Sequence, residues 1–241
     1  TDAARTLRLG SSTVDILKST WMPYLNAYQP ISWQSLWIDA RNFTLDAGTS
    51  VINLRGRRSD LYFEGPGTLA FNEVVLRAPM GSSRLVKWTD QNGFDSAPTV
   101  SFVRLDLFHR TELKGSFSFD ELELHPGQQY RFESGETFAI GNLIAISDCQ
   151  GSIDLAATFS GSPAMFSSTG TITTDFTSLS GISAGGGGTF TANNVIDLGE
   201  NTGWTINARP TNSFFWIGDT GNWNDPMHWS ATSGGAASGC V

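Results

Sequence analysis

The stretch Phe117-Ser118-Phe119-Asp120-Glu121-Leu122-Glu123-Leu124 runs through His125-Pro126-Gly127-Gln128-Gln129 into Tyr130-Arg131-Phe132, and its reading decides the fold. Large apolar residues alternate with polar ones, a Gly-centred turn intervenes, and the alternation resumes. Such a period of two is what a pleated strand with one buried face requires. Working outward, the same grammar recurs. Leu7-Arg8-Leu9 passes through Gly10-Ser11-Ser12-Thr13 into Val14-Asp15-Ile16, and Phe43-Thr44-Leu45 passes through residues 46–50 into Val51-Ile52-Asn53-Leu54. No window of a dozen residues sustains the i, i+3, i+4 apolar spacing of a helix. The chain is predicted to be all-β.

Two architectures accommodate short strands with frequent turns. A β-sandwich closes antiparallel hairpins with Asn-Gly or Asp-Gly pairs, and Asn92-Gly93 is the one such pair here. A β-solenoid stacks coils of short strands, with Gly, Ser, Thr and Asn at corners and Val, Ile, Leu and Phe inside. From Phe117 to Ile206 the pattern runs almost unbroken in that style, through Phe138-Ala139-Ile140, Leu143 to Ile146, Ile153-Asp154-Leu155 and Phe190. The expectation is therefore a right-handed parallel β-helix, with the sandwich as alternative. Coils of roughly 20 to 25 residues stacked about 4.8 Å apart are expected over that segment. Residues 1–208 form the predicted solenoid module, with 20–37 an irregular Trp-rich insertion folded on its side. Residues 209–241 read as a junction and the start of a further module. The Gly185-Gly186-Gly187-Gly188 run lacks the Lys-Ser/Thr of a phosphate loop and opens no helix, so it reads as a tight corner.

Composition narrows the function. The 241 residues carry 15 Lys+Arg against 23 Asp+Glu, a net charge of -8. That balance argues against a nucleic-acid partner, which needs clustered cations. No apolar run reaches the ~18 residues of a membrane helix, so membrane insertion is not predicted. Cys149 and Cys240 are too few for a disulfide framework and lack metal spacing; a bridge between them and two independent thiols both remain open.

The C-terminal third carries a resemblance. Thr189-Phe190-Thr191-Ala192-Asn193-Asn194-Val195 and the following residues to Asn201-Thr202-Gly203-Trp204 resemble the closing coil of secreted β-helical proteins of Bacteroidota. Phe215-Trp216-Ile217-Gly218-Asp219-Thr220-Gly221-Asn222-Trp223-Asn224-Asp225-Pro226-Met227-His228-Trp229-Ser230 is similar to the signature those proteins repeat. The start, Ala3 to Thr13, resembles the middle of such a module. The combination resembles giant repetitive surface proteins, including gliding-motility adhesins exported by the type IX route. The resemblance implies an extracellular, cell-surface, non-enzymatic repeat module, serving cell adhesion or as a rigid stalk. Its partners would be neighbouring modules of the same chain, surface polysaccharide or secretion-system components. It also implies that Trp204, Trp216, Trp223 and Trp229 mark a module junction.

Candidate sites are weighed on their residues. Catalytic β-helices align carboxylates on one face of successive coils. Alternation sends Asp120 to the face opposite Glu121 and Glu123. Arg104 and Asp106 share a face near Arg110 and Glu112, as a solvated charge ladder would. His109, His125 and His228 have no metal-ligand spacing. No catalytic residue, cofactor or metal is predicted. Asn193, Asn194, Asp197, Glu200 and Asn201 offer oxygens that a calcium ion could use, but turn chemistry accounts for them. The rings of Trp21, Trp33 and Trp37, with Tyr24 and Tyr28, either cover the solenoid flank or hold the apolar face of a sugar. A carbohydrate-active or carbohydrate-binding β-helix is the alternative, and it requires exposed indoles beside a carboxylate or Arg stack.

Overall fold

The structure, a computed structural model, describes residues 4–16, 34–56, 59–77, 82–88, 97–148, 151–209, 214–223, 225–230 and 232–237. Trp21, Tyr24, Tyr28, Trp33, Cys149 and Cys240 lie outside the described residues, as does most of the expected insertion. The fold is a parallel β-helix. The turn-linked strand pairs are not hairpins, because each strand pairs in parallel with its counterpart one coil later. Arg5–Arg8 lies along Phe43–Asp46, and Thr13–Ile16 along Val51–Leu54. Among the described residues the one antiparallel pairing joins Phe215–Trp216 to Trp229–Ser230 in the tail. The described residues contain no helix long and apolar enough to cross a membrane.

Three faces build each coil. The first begins with Arg5–Arg8 and Phe43–Asp46 and ends with Ala164–Ser167 and Ile182–Gly185. The second begins with Thr13–Ile16 and Val51–Leu54 and ends with Thr171–Asp175, Thr189–Asp197 and Trp204–Ala208. Between them, four long strands, Thr68–Leu76, Thr99–Leu107, Phe117–Leu124 and Thr137–Ile146, bend from the first face onto the second. The third face stacks Gln34–Asp39, Ser59–Glu64, Ser83–Trp88, Thr111–Lys114, Gln129–Phe132, Ile153–Ala157 and Thr177–Ser180.

The bend changes the parity of the alternation. Ladder pairing skips Asn72, Val103, Asp120 and Gly141, and the next residue in each strand also faces outward. Asp120 and Glu121 therefore both face solvent, correcting the expectation that alternation separates them. Further along, Leu143 and Ala145 are the buried residues while Ile146 is 59% exposed, so the expected inward run fails at its last position.

Coil length varies more than a uniform repeat of roughly 20 to 25 residues allows. The step along the chain from Glu73 to its register partner Arg104 is nearly twice the step from Arg104 to its next partner, Glu121. Connections at the corners absorb the difference without disturbing the ladder. The segment from Phe117 to Ile206 occupies five layers of the second face, about 20 Å at ordinary strand spacing.

Inside, apolar side chains repeat in columns. Phe71, Phe102 and Phe119 stack with centroids 5.3 and 5.8 Å apart and planes within 18°. Offset stacking of this kind adds to the burial term. Phe132 meets Phe166 edge-on at 4.7 Å. At the last coil Trp204 lies edge-on to Phe190 at 5.1 Å, and its indole N–H donates to the Ile182 carbonyl at 3.0 Å.

Candidate functional site

Trp37 is the described member of the three candidate sugar-contacting tryptophans. Strand alternation on Gln34–Asp39 points its indole out of the third face, and it is 51% exposed. Parallel register sets it beside Tyr62 of the next coil, and the rings stack at 5.1 Å with a 17° interplanar angle. Trp88, also exposed, approaches Trp37 to 6.2 Å. Three rings from three coils thus form an aromatic platform on the flank of the stack. The sequence singles out Trp37 but not Tyr62 or Trp88, which only the register brings alongside.

The platform adjoins a charged column. Asp60, Arg84, Glu112 and Arg131 are register partners on successive coils of the third face. Arg84 joins column to platform: its guanidinium pairs with the buried Asp60 at 2.9 Å and donates to the Tyr62 hydroxyl. It also lies 5.6 Å from the Tyr62 ring centre. Ser82, Arg84, Arg110, Glu112, Arg131, Thr158 and Phe159 line a groove of about 310 Å³ on this face. Phe159 stands 73% exposed at its wall, clamped through its backbone N–H and carbonyl by the Ser134 hydroxyl.

A second cluster occupies the outer side of the second face. Arg104 sits between its register partners Glu73 and Glu121, at 3.2 and 3.1 Å, and also pairs with Glu123. Asp106, in register with Glu123, is nearly buried and meets His125 Nε2 at 2.7 Å. Burial raises the Asp106 carboxyl above its ordinary range, while the His125 hydrogen bond pulls it back. The His125 ring stacks on Phe108 at 4.0 Å, and the Arg77 guanidinium lies 4.1 Å from the Phe108 centre. At the same corner, the His125 backbone N–H donates to the Tyr130 hydroxyl, which donates to the Leu107 carbonyl at 2.5 Å. Burial pushes the Tyr130 phenol well up.

This arrangement corrects the expected neighbours of Arg104 and Asp106. Arg110 and Glu112 are not beside them, because the chain turns onto the third face between Leu107 and Thr111. Histidine spacing also hid a grouping, since ligand-capable atoms of Asp106, Glu123 and His125 lie within 4.8 Å of one another. They could coordinate a divalent cation, although the Arg104 guanidinium already engages Glu123.

The calcium candidates do not converge in this way. Asp197 accepts from the Gly199 backbone and Asn201 Nδ2, Asn201 Oδ1 accepts from the Ile182 backbone, and Glu200 accepts from the Gly161 backbone. Asn194 donates to Asp175, and Asn193 accepts from Asn207. Of the junction tryptophans, Trp223 and Trp229 come together on Trp216. Trp216 stacks on the His228 ring at 4.9 Å, and Trp223 meets Trp229 edge-on at 4.5 Å. Trp204 belongs instead to the last coil. Comparison of the chain with protein-family models, curated proteins and solved structures finds no match in any of the three.

Proposed function

We propose that this chain is a non-enzymatic module of a large secreted cell-surface protein, a stiff segment that carries adhesive contacts along its side. The observation supporting this is the exposed platform of Trp37, Tyr62 and Trp88 on the flank of an uninterrupted parallel stack. Exposed rings set side by side on a rigid ladder lose little freedom on binding, which favours attachment. A net charge of -8 keeps long arrays of such modules from self-associating. Neighbouring modules of the same chain are the proposed covalent partners, and the extracellular surface the proposed location.

The carbohydrate-binding version of the same module is favoured by one further observation. It requires an exposed indole beside a charged stack, and Trp37 stands beside the column from Asp60 to Arg131. Beads coated with the chain are expected to resist shear on polysaccharide-coated glass, and beads carrying the Trp37→Ala/Trp88→Ala variant to wash off. Wild-type beads that wash off as readily as beads carrying an inert protein, on coated and bare glass alike, overturn the adhesive reading.

A further inference from the structure

We infer that the groove on the third face binds an acidic polysaccharide, one bearing carboxylate or sulfate groups on a sugar backbone laid along the stack. This deepens the adhesive reading and rests on it. The groove runs against the charge of the molecule as a whole. In a chain of net charge -8, it gathers three arginines and a single glutamate. Arg84 is matched by Asp60, and Glu112 pairs with Lys114 at 3.5 Å. Arg110 has no carboxylate in ion-pair reach among the described residues, and Arg131 donates to the Ala157 carbonyl at 3.4 Å. Two guanidiniums therefore face the groove without an ion pair among the described residues. A fork of N–H donors is the group best shaped for carboxylate or sulfate oxygens.

The rings say what carries those anions. Tyr62 touches Arg84 at one end of the groove and Phe159 stands exposed at its wall, so aromatic faces accompany the cations. Arg84 and Arg131 are two coils apart, about 10 Å at strand spacing. The ladder thus presents guanidiniums from separate coils to an extended polymer, with ring faces for the apolar sides of its pyranoses.

Binding of the full chain to polygalacturonate, dextran sulfate, uncharged dextran and an oligodeoxynucleotide, at low and high salt, tests this. Saturable binding to the first two, weaker in high salt, is expected. The Arg110→Gln/Arg131→Gln variant should bind roughly tenfold more weakly or worse, and Trp37→Ala should bind more weakly without changing the salt dependence. Arg110→Glu, at an exposed corner, gives the same readout should the double variant not fold. Equal affinity for uncharged dextran, or no loss in the arginine variants, overturns the acidic-ligand inference while bead retention still upholds adhesion. Equal affinity for the oligonucleotide overturns it as well, as does a folded chain that binds none of the four. Adhesion itself is judged by the beads.

Discussion

Gly203 shows how close the last two layers approach. Its φ is +77°, and a Cβ there would stand 2.1 Å from the Ala184 carbonyl oxygen. That contact is with backbone held by the Ala184 N–H to Thr202 carbonyl bond at 2.7 Å, so it cannot give way cheaply. Gly161 has a similar φ, +80°, but open space where its Cβ would be. The pair separates conformational cost from collision. Gly161→Ala is expected to cost about 1 kcal/mol, the penalty of a left-handed L-residue, and Gly203→Ala about 3 kcal/mol or more because a clash is added. Denaturant titration of both variants measures the difference, and equal losses would mean the Gly203 layer relaxes freely.

The bent strands of the first two faces hold their outer charges in columns, and Arg104 is the hub of one. It faces Glu73, Glu121 and Glu123 and lies 3.8 Å from Asp106. Replacing it with Gln leaves four carboxylates gathered beside His125 without the guanidinium. A loss of about 2 kcal/mol at neutral pH is expected, below the range for breaking a fully buried pair because Arg104 is partly exposed. The sign of the pH dependence follows from linkage. Burial already holds the Asp106 carboxyl above its ordinary range, and Arg104 draws it down. Without the arginine, Asp106 holds its proton more tightly in the folded state than in the unfolded one, so acidification favours folding. The deficit of Arg104→Gln against wild type should shrink between pH 7 and pH 4 in chemical denaturation, and a pH-independent deficit would mean that lost packing, not charge, dominates. Strand alternation is legible in the sequence at this scale because it depends on residues two apart. Column membership is not, because Glu73, Arg104 and Glu121 are set together by two coils of very unequal length. The parity change at Asp120 is equally hidden, since no local signal marks where a strand turns a corner. Trp37 is legible as an outward aromatic, while Tyr62 and Trp88 lie on strands whose register alone makes them its neighbours.

Across the described stack each layer pairs in register with the layers above and below, so stability is approximately a sum of nearest-neighbour terms. Position in the stack then decides what a lost side chain does. Phe102 lies between Phe71 and Phe119 and is 1% exposed, with neighbours on both sides. Phe102→Ala is expected to cost roughly 3–5 kcal/mol and to lower amide protection in the layers from Thr68–Leu76 to Phe117–Leu124, dividing the ladder into two weakly coupled halves. Trp204 is half-buried in the last described coil, resting on Phe190 with a paired strand on one side only among the described residues. Trp204→Ala should cost less and free only the amides of Ile182–Gly185, Thr189–Asp197 and Trp204–Ala208. Hydrogen exchange read layer by layer distinguishes the two cases. Loss of protection spreading evenly through the stack from either substitution would show one cooperative unit rather than a ladder held layer by layer. Protection lost near the substitution alone means that the rest of the ladder keeps its structure when one end is damaged, as the proposed adhesive segment would require under lateral load.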